Sequence, residues 1–147
     1  MARVLIIIGS QSDNQYAEVC REVLENLGIE SVIEVSSAHR QPEQTDELAR
    51  KAAEKGFEVI ICMAGMAAAL PGVVAARTDL PVIGVPLPAS LNGLDALLSI
   101  VQMPSGVPVA TMGIGKAGAK NAAILAGRIL AARYSDIKSR LGEIGQK

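Results

Sequence analysis

The single histidine of the chain, His39, stands beside Arg40 in the stretch Ser36-Ser37-Ala38-His39-Arg40-Gln41-Pro42. An imidazole is the side chain whose ordinary pKa permits proton transfer near neutral pH, and a guanidinium fork binds two oxygens of a phosphate or carboxylate at once. A surface histidine next to a solvated arginine has the same composition, so position must decide between the two. A second polar cluster, Gly9-Ser10-Gln11-Ser12-Asp13, joins a tight-turn glycine to hydroxyls and a carboxylate. Ser10 and Asp13 suit a phosphate or ribose at a helix start, and equally an ordinary N-cap. A third segment, Ala64-Gly65-Met66-Ala67-Ala68-Ala69-Leu70-Pro71-Gly72, holds no ionisable group. Small side chains there admit a ligand against the backbone, or simply tight packing of a helix on a sheet. Ser90, Asn92 and Asp95 offer further polar groups near another helix start.

What positions these segments is a fivefold alternation of short aliphatic runs with helical patterns. Strands are expected at Val4–Ile8, Ser31–Val35, Val59–Met63, Val82–Val85 and Val107–Thr111. Between them, Tyr16, Val19, Cys20, Val23, Leu24 and Leu27 recur at helical spacing, and Gly28 reads as the glycine that ends that helix. Pro42 opens a second helix to about Lys55, an Ala-rich segment runs from Ala67 to Arg77, and a short helix covers Leu94–Val101. A last helix is expected from Ala119 to Leu141. Near-continuous apolar strands alternating with helices mean a parallel sheet covered on both faces. The result is an α/β chain read as one domain over 1–147, in which ligands bind beyond the carboxyl ends of the strands. All three polar or small-residue loops follow strands. That placement favours function over accident.

Composition removes whole classes of function. With 14 basic against 15 acidic residues, the net charge of −1 gives no electrostatic grip on nucleic acid. Aromatics make up 2% of the chain and Trp is absent, so base-stacking platforms and a flavin sandwich are not expected. No run is long enough for a membrane span, and the opening residues do not read as a secretion signal. Cys20 and Cys62 match neither a disulfide framework nor a zinc motif, so no metal is expected. A cytoplasmic location follows as the default. Between Met63 and Lys116 the only charged residues are Arg77, Asp79 and Asp95, more apolar surface than one small core can hide. A homo-oligomer is expected. Gly113-Ile114-Gly115-Lys116-Ala117-Gly118 fits a dinucleotide fingerprint in spacing only, because it precedes a terminal helix and lacks the acidic residue on a following strand.

Taken together, G-S-Q-S-D, S-A-H-R-Q-P, A-G-M-A-A-A-L-P-G and the stretch S-I-V-Q-M-P-S-G-V-P-V-A-T through G-K-A-G resemble the N5-carboxyaminoimidazole ribonucleotide mutases of purine biosynthesis, over nearly the whole chain. The resemblance implies a three-layer flavodoxin-like fold with a five-stranded parallel sheet, assembled as an octamer. It also implies transfer of a carboxylate from N5 to C4 of an aminoimidazole ribonucleotide without metal, ATP or biotin. His39 falls on the catalytic histidine, and Ser10, Asp13 and Arg40 fall where the ribonucleotide binds. Ser37, Gly65, Ala67 and Leu70 complete the expected substrate contacts.

The chain departs from that pattern at two places. Ala69 stands where most mutases carry a second histidine, and Met66 where a glycine is usual. The sister carboxylases, which take CO₂ directly, also lack that histidine, whereas Arg40 and Pro71 resemble the mutases. A direct carboxylase is therefore the alternative, and a non-enzymatic flavodoxin-like nucleotide-binding module is the alternative from another class. A phospho-acceptor receiver would want an Asp at the end of the third strand, where Met63-Ala64-Gly65 stands.

Overall fold

The structure, a computed structural model, describes residues 1–144, so the last three positions of the expected 1–147 domain lie outside the described residues. Strand β1 (Arg3–Ile8) is flanked by β2 (Glu30–Val35) and β3 (Val59–Gly65), with β4 (Val82–Leu87) and β5 (Ala110–Thr111) beyond β3. All four pairings are parallel, in the order β2-β1-β3-β4-β5. The intervening helices are α1 (Asn14–Asn26), α2 (Pro42–Lys51), α3 (Leu70–Ala75), α4 (Leu94–Val101), α5 (Lys116–Leu130) and α6 (Ser135–Ile144).

Because successive strand side chains point to opposite faces, β1 and β3 feed two separate cores. Val4, Ile6, Ile8, Val59, Ile61 and Met63 pack under α1, α5 and α6, against Ala17, Cys20, Leu24, Ala122, Ala126 and Ile137. Leu5, Ile7, Ile60 and Cys62 pack under α2, α3 and α4, against Ala49, Leu70, Val74, Ala96 and Ile100. This makes three layers, with the sheet in the middle. Each fully buried Ile or Leu contributes about 1.5–3 kcal/mol, and with so few aromatics these aliphatics supply nearly the whole driving force. Both thiols are buried, one in each core, and burial pushes the Cys20 thiol up to about 12 and the Cys62 thiol up further.

Three expected elements change. The fifth strand is two residues long, because Val107 N–H closes a turn on the Pro104 carbonyl and Pro108 has no N–H to give a ladder. Helix α2 stops at Lys51, and residues up to Gly56 (φ +84°) form turns. The long terminal helix breaks into α5 and α6 at a corner over 131–134. That corner contains neither Gly nor Pro. It is held from outside, where Glu58 takes a hydrogen bond from Arg133 through one oxygen and from Tyr134 Oη through the other, each at 2.9 Å.

Candidate active site at the carboxyl edge of the sheet

Strand order 2-1-3-4-5 places a topological switch point between β1 and β3, since the chain leaves β1 for one face and β3 for the other. The loops after β1, β2 and β3 all emerge at that carboxyl edge from adjacent strands. Backbone bonds knit them to it: Gly9 N–H donates to the Met63 carbonyl at 3.2 Å, and Ser36 N–H to the Ile8 carbonyl at 2.9 Å. Ser10 and Asp13, then Ser37, His39 and Arg40, then Gly65, Ala67 and Leu70 are thus brought to one edge. Lys116 and the Ser90–Asp95 segment follow β5 and β4, farther along the same edge.

His39 and Arg40 are exposed at the tip of a tightly bonded turn. Ser37 clamps that turn three ways. Its hydroxyl accepts from Arg40 N–H at 3.1 Å, its carbonyl accepts from Gln41 N–H at 2.8 Å, and its own N–H donates to Gln41 Oε1 at 3.2 Å. Beneath the turn, Ser36 Oγ and Thr45 Oγ1 share a buried hydrogen bond of 2.7 Å that ties the end of β2 to α2. Pro42 then starts α2 with the fixed φ suited to a first helical position. Imidazole and guanidinium are exposed, but the backbone carrying them is not free to wander. Gln41 and Thr45 were not singled out from sequence. The signal was present, as a polar residue directly before Pro42 and a threonine on the inner face of the helix.

Ser10 caps a single 3-10 turn, Gln11–Asp13, that leads into α1, its hydroxyl 3.4 Å from Ser12 N and 3.0 Å from Ser12 Oγ. Its side chain is therefore both an N-cap and a hydroxyl open to solvent. Asp13 is half-buried, and burial raises its carboxyl above the usual range while a backbone hydrogen bond from Ser10 opposes the rise. A carboxylate short of solvent at a loop tip suits hydrogen-bonding to sugar hydroxyls, which replace the lost water.

The third loop presents Met66 and Ala67 to solvent, whereas Leu70 is 2% exposed. Leu70 packs into the core under α3, so any contact it makes with a ligand runs through its backbone. Met66 has φ +54°. Ala69, half-buried, precedes α3 and carries no group able to titrate.

The Gly113–Gly118 motif sits between β5 and α5, and a Cβ on Gly118 would overlap the Gly113 carbonyl oxygen. Gly118 thus serves close packing of the first turn of α5 on its own loop, while Gly115 supplies a positive φ (+79°) just before that helix. Among the described residues no group of three or more His, Cys, Asp or Glu could hold a metal, and no helix is long and apolar enough to cross a membrane. A concavity of about 990 Å³ lies at the opposite, amino end of β4 and is lined by Arg50, Arg77, Leu80 and Val107 among others. No polar loop of the carboxyl edge reaches it. The site is better sought where the histidine stands.

Known proteins resemble this chain along most of its length. The family described as AIR carboxylase matches residues 3–147. A Saccharolobus solfataricus protein named N5-carboxyaminoimidazole ribonucleotide mutase is 52% identical over 147 residues, covering 99% of this chain and 92% of that protein. An Escherichia coli protein of the same name is 50% identical over 143 residues, covering 97% and 85%. Among solved structures, Treponema denticola PurE superposes with a TM-score of 0.86 at 30% identity, covering 98% of this chain and 89% of that one. The expected three-layer fold is thereby borne out in a related protein as well as in the sheet order. On the family match from residue 3 onward, and on identities of half or more, this chain belongs to the AIR carboxylase family.

Proposed function

We propose that this chain is an N5-carboxyaminoimidazole ribonucleotide mutase with His39 as its proton carrier. The observation that carries the reading is the sole imidazole of the chain, exposed on a clamped turn beside the switch point. Relatives 50–56% identical share that activity in their names, which supports the same reading.

The chemistry balances with one imidazole. The bond from N5 to the carboxylate breaks, CO₂ is released, and N5 takes a proton. C4 of the same ring then attacks CO₂ and gives up its proton, so no net proton, electron or cofactor is consumed. A histidine that donates in the first half is left as the base needed in the second. Arg40 supplies a fork for phosphate or carboxylate, while Ser10, Ser37 and Asp13 supply hydroxyl and carboxylate partners for the ribonucleotide. The segment from Gly65 through Ala67 to Leu70 carries no charge, which suits a neutral gas and offers bicarbonate no cation.

Helix α4 supports self-association. Leu94, Leu98 and Val101 recur at helical spacing and are 56%, 50% and 49% exposed, with Leu91 at 63% just before them. A stripe of that kind on a small domain is an interface looking for its partner, and a homo-octamer in the cytoplasm is the assembly we infer.

Direct carboxylation of aminoimidazole ribonucleotide is the second reading, favoured by Ala69 alone. The test supplies either the N5-carboxylated ribonucleotide, or aminoimidazole ribonucleotide with bicarbonate, and follows the C4-carboxylated product. Turnover of the first with little response to added bicarbonate is expected. Useful rates from the second mixture only would overturn the mutase reading.

A further inference from the structure

Two non-glycine residues of the described chain have positive φ, Asn92 at +57° and Met66 at +54°. Asparagine tolerates that region, whereas a long side chain that makes no local hydrogen bond enters it only against a steric cost. The core does not compensate for it, because the Met66 side chain is 61% exposed. The conformation is nonetheless fixed. Ala68 N–H donates to the Met66 carbonyl at 2.9 Å, and Ala69 N–H to the Ala67 carbonyl at 2.7 Å. Met66 follows the last residue of β3, directly beside the switch point where the β1 and β2 loops converge. A flexible apolar thioether thus stands in solvent, on an unfavourable backbone, at the edge that carries His39.

Methionine is suited to covering irregular apolar surface, and its sulfur packs favourably against aromatic rings. On the mutase reading, the reacting centre is an aromatic imidazole ring with a neutral, apolar CO₂ beside it for part of each cycle. We propose that Met66 is the cover of that centre, packing on the substrate ring and holding CO₂ against C4 after its release from N5. It is a substrate contact that governs retention rather than proton transfer, and the inference rests on the mutase reading.

The test uses N5-carboxylated ribonucleotide labelled with ¹³C in its carboxylate, turned over in unlabelled bicarbonate buffer. Label retained in the C4-carboxylated product and free aminoimidazole ribonucleotide released are both measured, by mass spectrometry. Wild type is expected to keep most of its label. Met66→Ala and Met66→Gly are expected to release at least about fourfold more CO₂ per product formed, the factor that a single buried methylene is worth, while Met66→Leu restores most of the retention. Met66→Gly is expected to melt no lower than wild type, since glycine relieves the backbone, so loss of retention cannot be assigned to unfolding. Equal retention in all four proteins would overturn the proposal. So would a change in particle mass on light scattering with retention unaltered, which would make Met66 an assembly contact. Failure of the mutase reading is separately visible, as wild type forming no C4-carboxylated product from the labelled substrate, and it overturns both.

Discussion

The hydroxyls of Ser36 and Thr45 lie 2.7 Å apart with neither residue reached by solvent, and each is the other's hydrogen-bond partner. Ser36 ends the support of β2, and the turn that holds His39 begins one residue later. A polar pair in an otherwise aliphatic layer therefore fixes where the imidazole starts from.

Thr45→Val keeps the shape and strands the Ser36 hydroxyl. A loss of about 1–3 kcal/mol is expected, the cost of a buried polar group without a partner. Removing both groups in Ser36→Ala with Thr45→Val is expected to recover most of it, so a double-mutant cycle of melting curves should show strong coupling. Independent, additive losses would mean that the pair does not act as one bond.

His39→Asn preserves approximate shape and cannot titrate. Turnover is expected to fall ~10²-fold or more with ribonucleotide affinity retained, whereas Arg40→Ala is expected to weaken affinity first. Isothermal calorimetry beside steady-state rates separates the two. Near wild-type turnover in the Asn variant would remove His39 from proton transfer.

Asp13 predicts a pH dependence of stability. Its folded carboxyl is raised by burial, so the folded chain binds a proton more readily than the unfolded one. Around neutral pH the half-buried charge opposes folding. That opposition is relieved as pH falls through the raised value and is gone below the ordinary carboxylate range. Asp13→Asn is thus expected to raise the melting temperature slightly at neutral pH, with the gain vanishing in acid. A gain that persists or grows in acid would contradict the shift.

Leu98→Glu, with Leu94→Glu if needed, puts charge into the exposed stripe of α4. A particle several times the 15.3 kDa chain is expected for wild type, and a smaller one for the variant, by light scattering. Wild type running as a monomer would contradict the inference from the apolar half of the sequence.

The sheet and most helices were legible because parallel strands are buried on both faces and so read as unbroken aliphatic runs, as Val4–Ile8 and Val59–Met63 do. The edge carrying His39, Arg40, Ser10 and Asp13 followed from the same alternation. What was not legible depends on partners distant in sequence. The corner at 131–134 is held by Glu58, seventy-five residues upstream of Arg133. Leu70 reads as part of an open loop, but its side chain completes the layer under α3. The three-way clamp of Ser37 on Arg40 and Gln41 needs coordinates, since side-chain and backbone oxygens share the accepting of three backbone N–H groups there.

Because alternate residues of the sheet face different layers, Cys20 and Cys62 lie in separate cores with the sheet between them. A buried, protonated thiol is inert, so each becomes reactive only when its own layer opens. The protein thus carries two internal clocks. The alkylation rate at Cys20 times the parting of α1 from the sheet, and that at Cys62 times the loosening of α2, α3 and α4, the side that bears the exposed apolar stripe. Equal rates would mean that the molecule opens all at once; a faster Cys62 would show that the layer carrying α4 is the one that breathes.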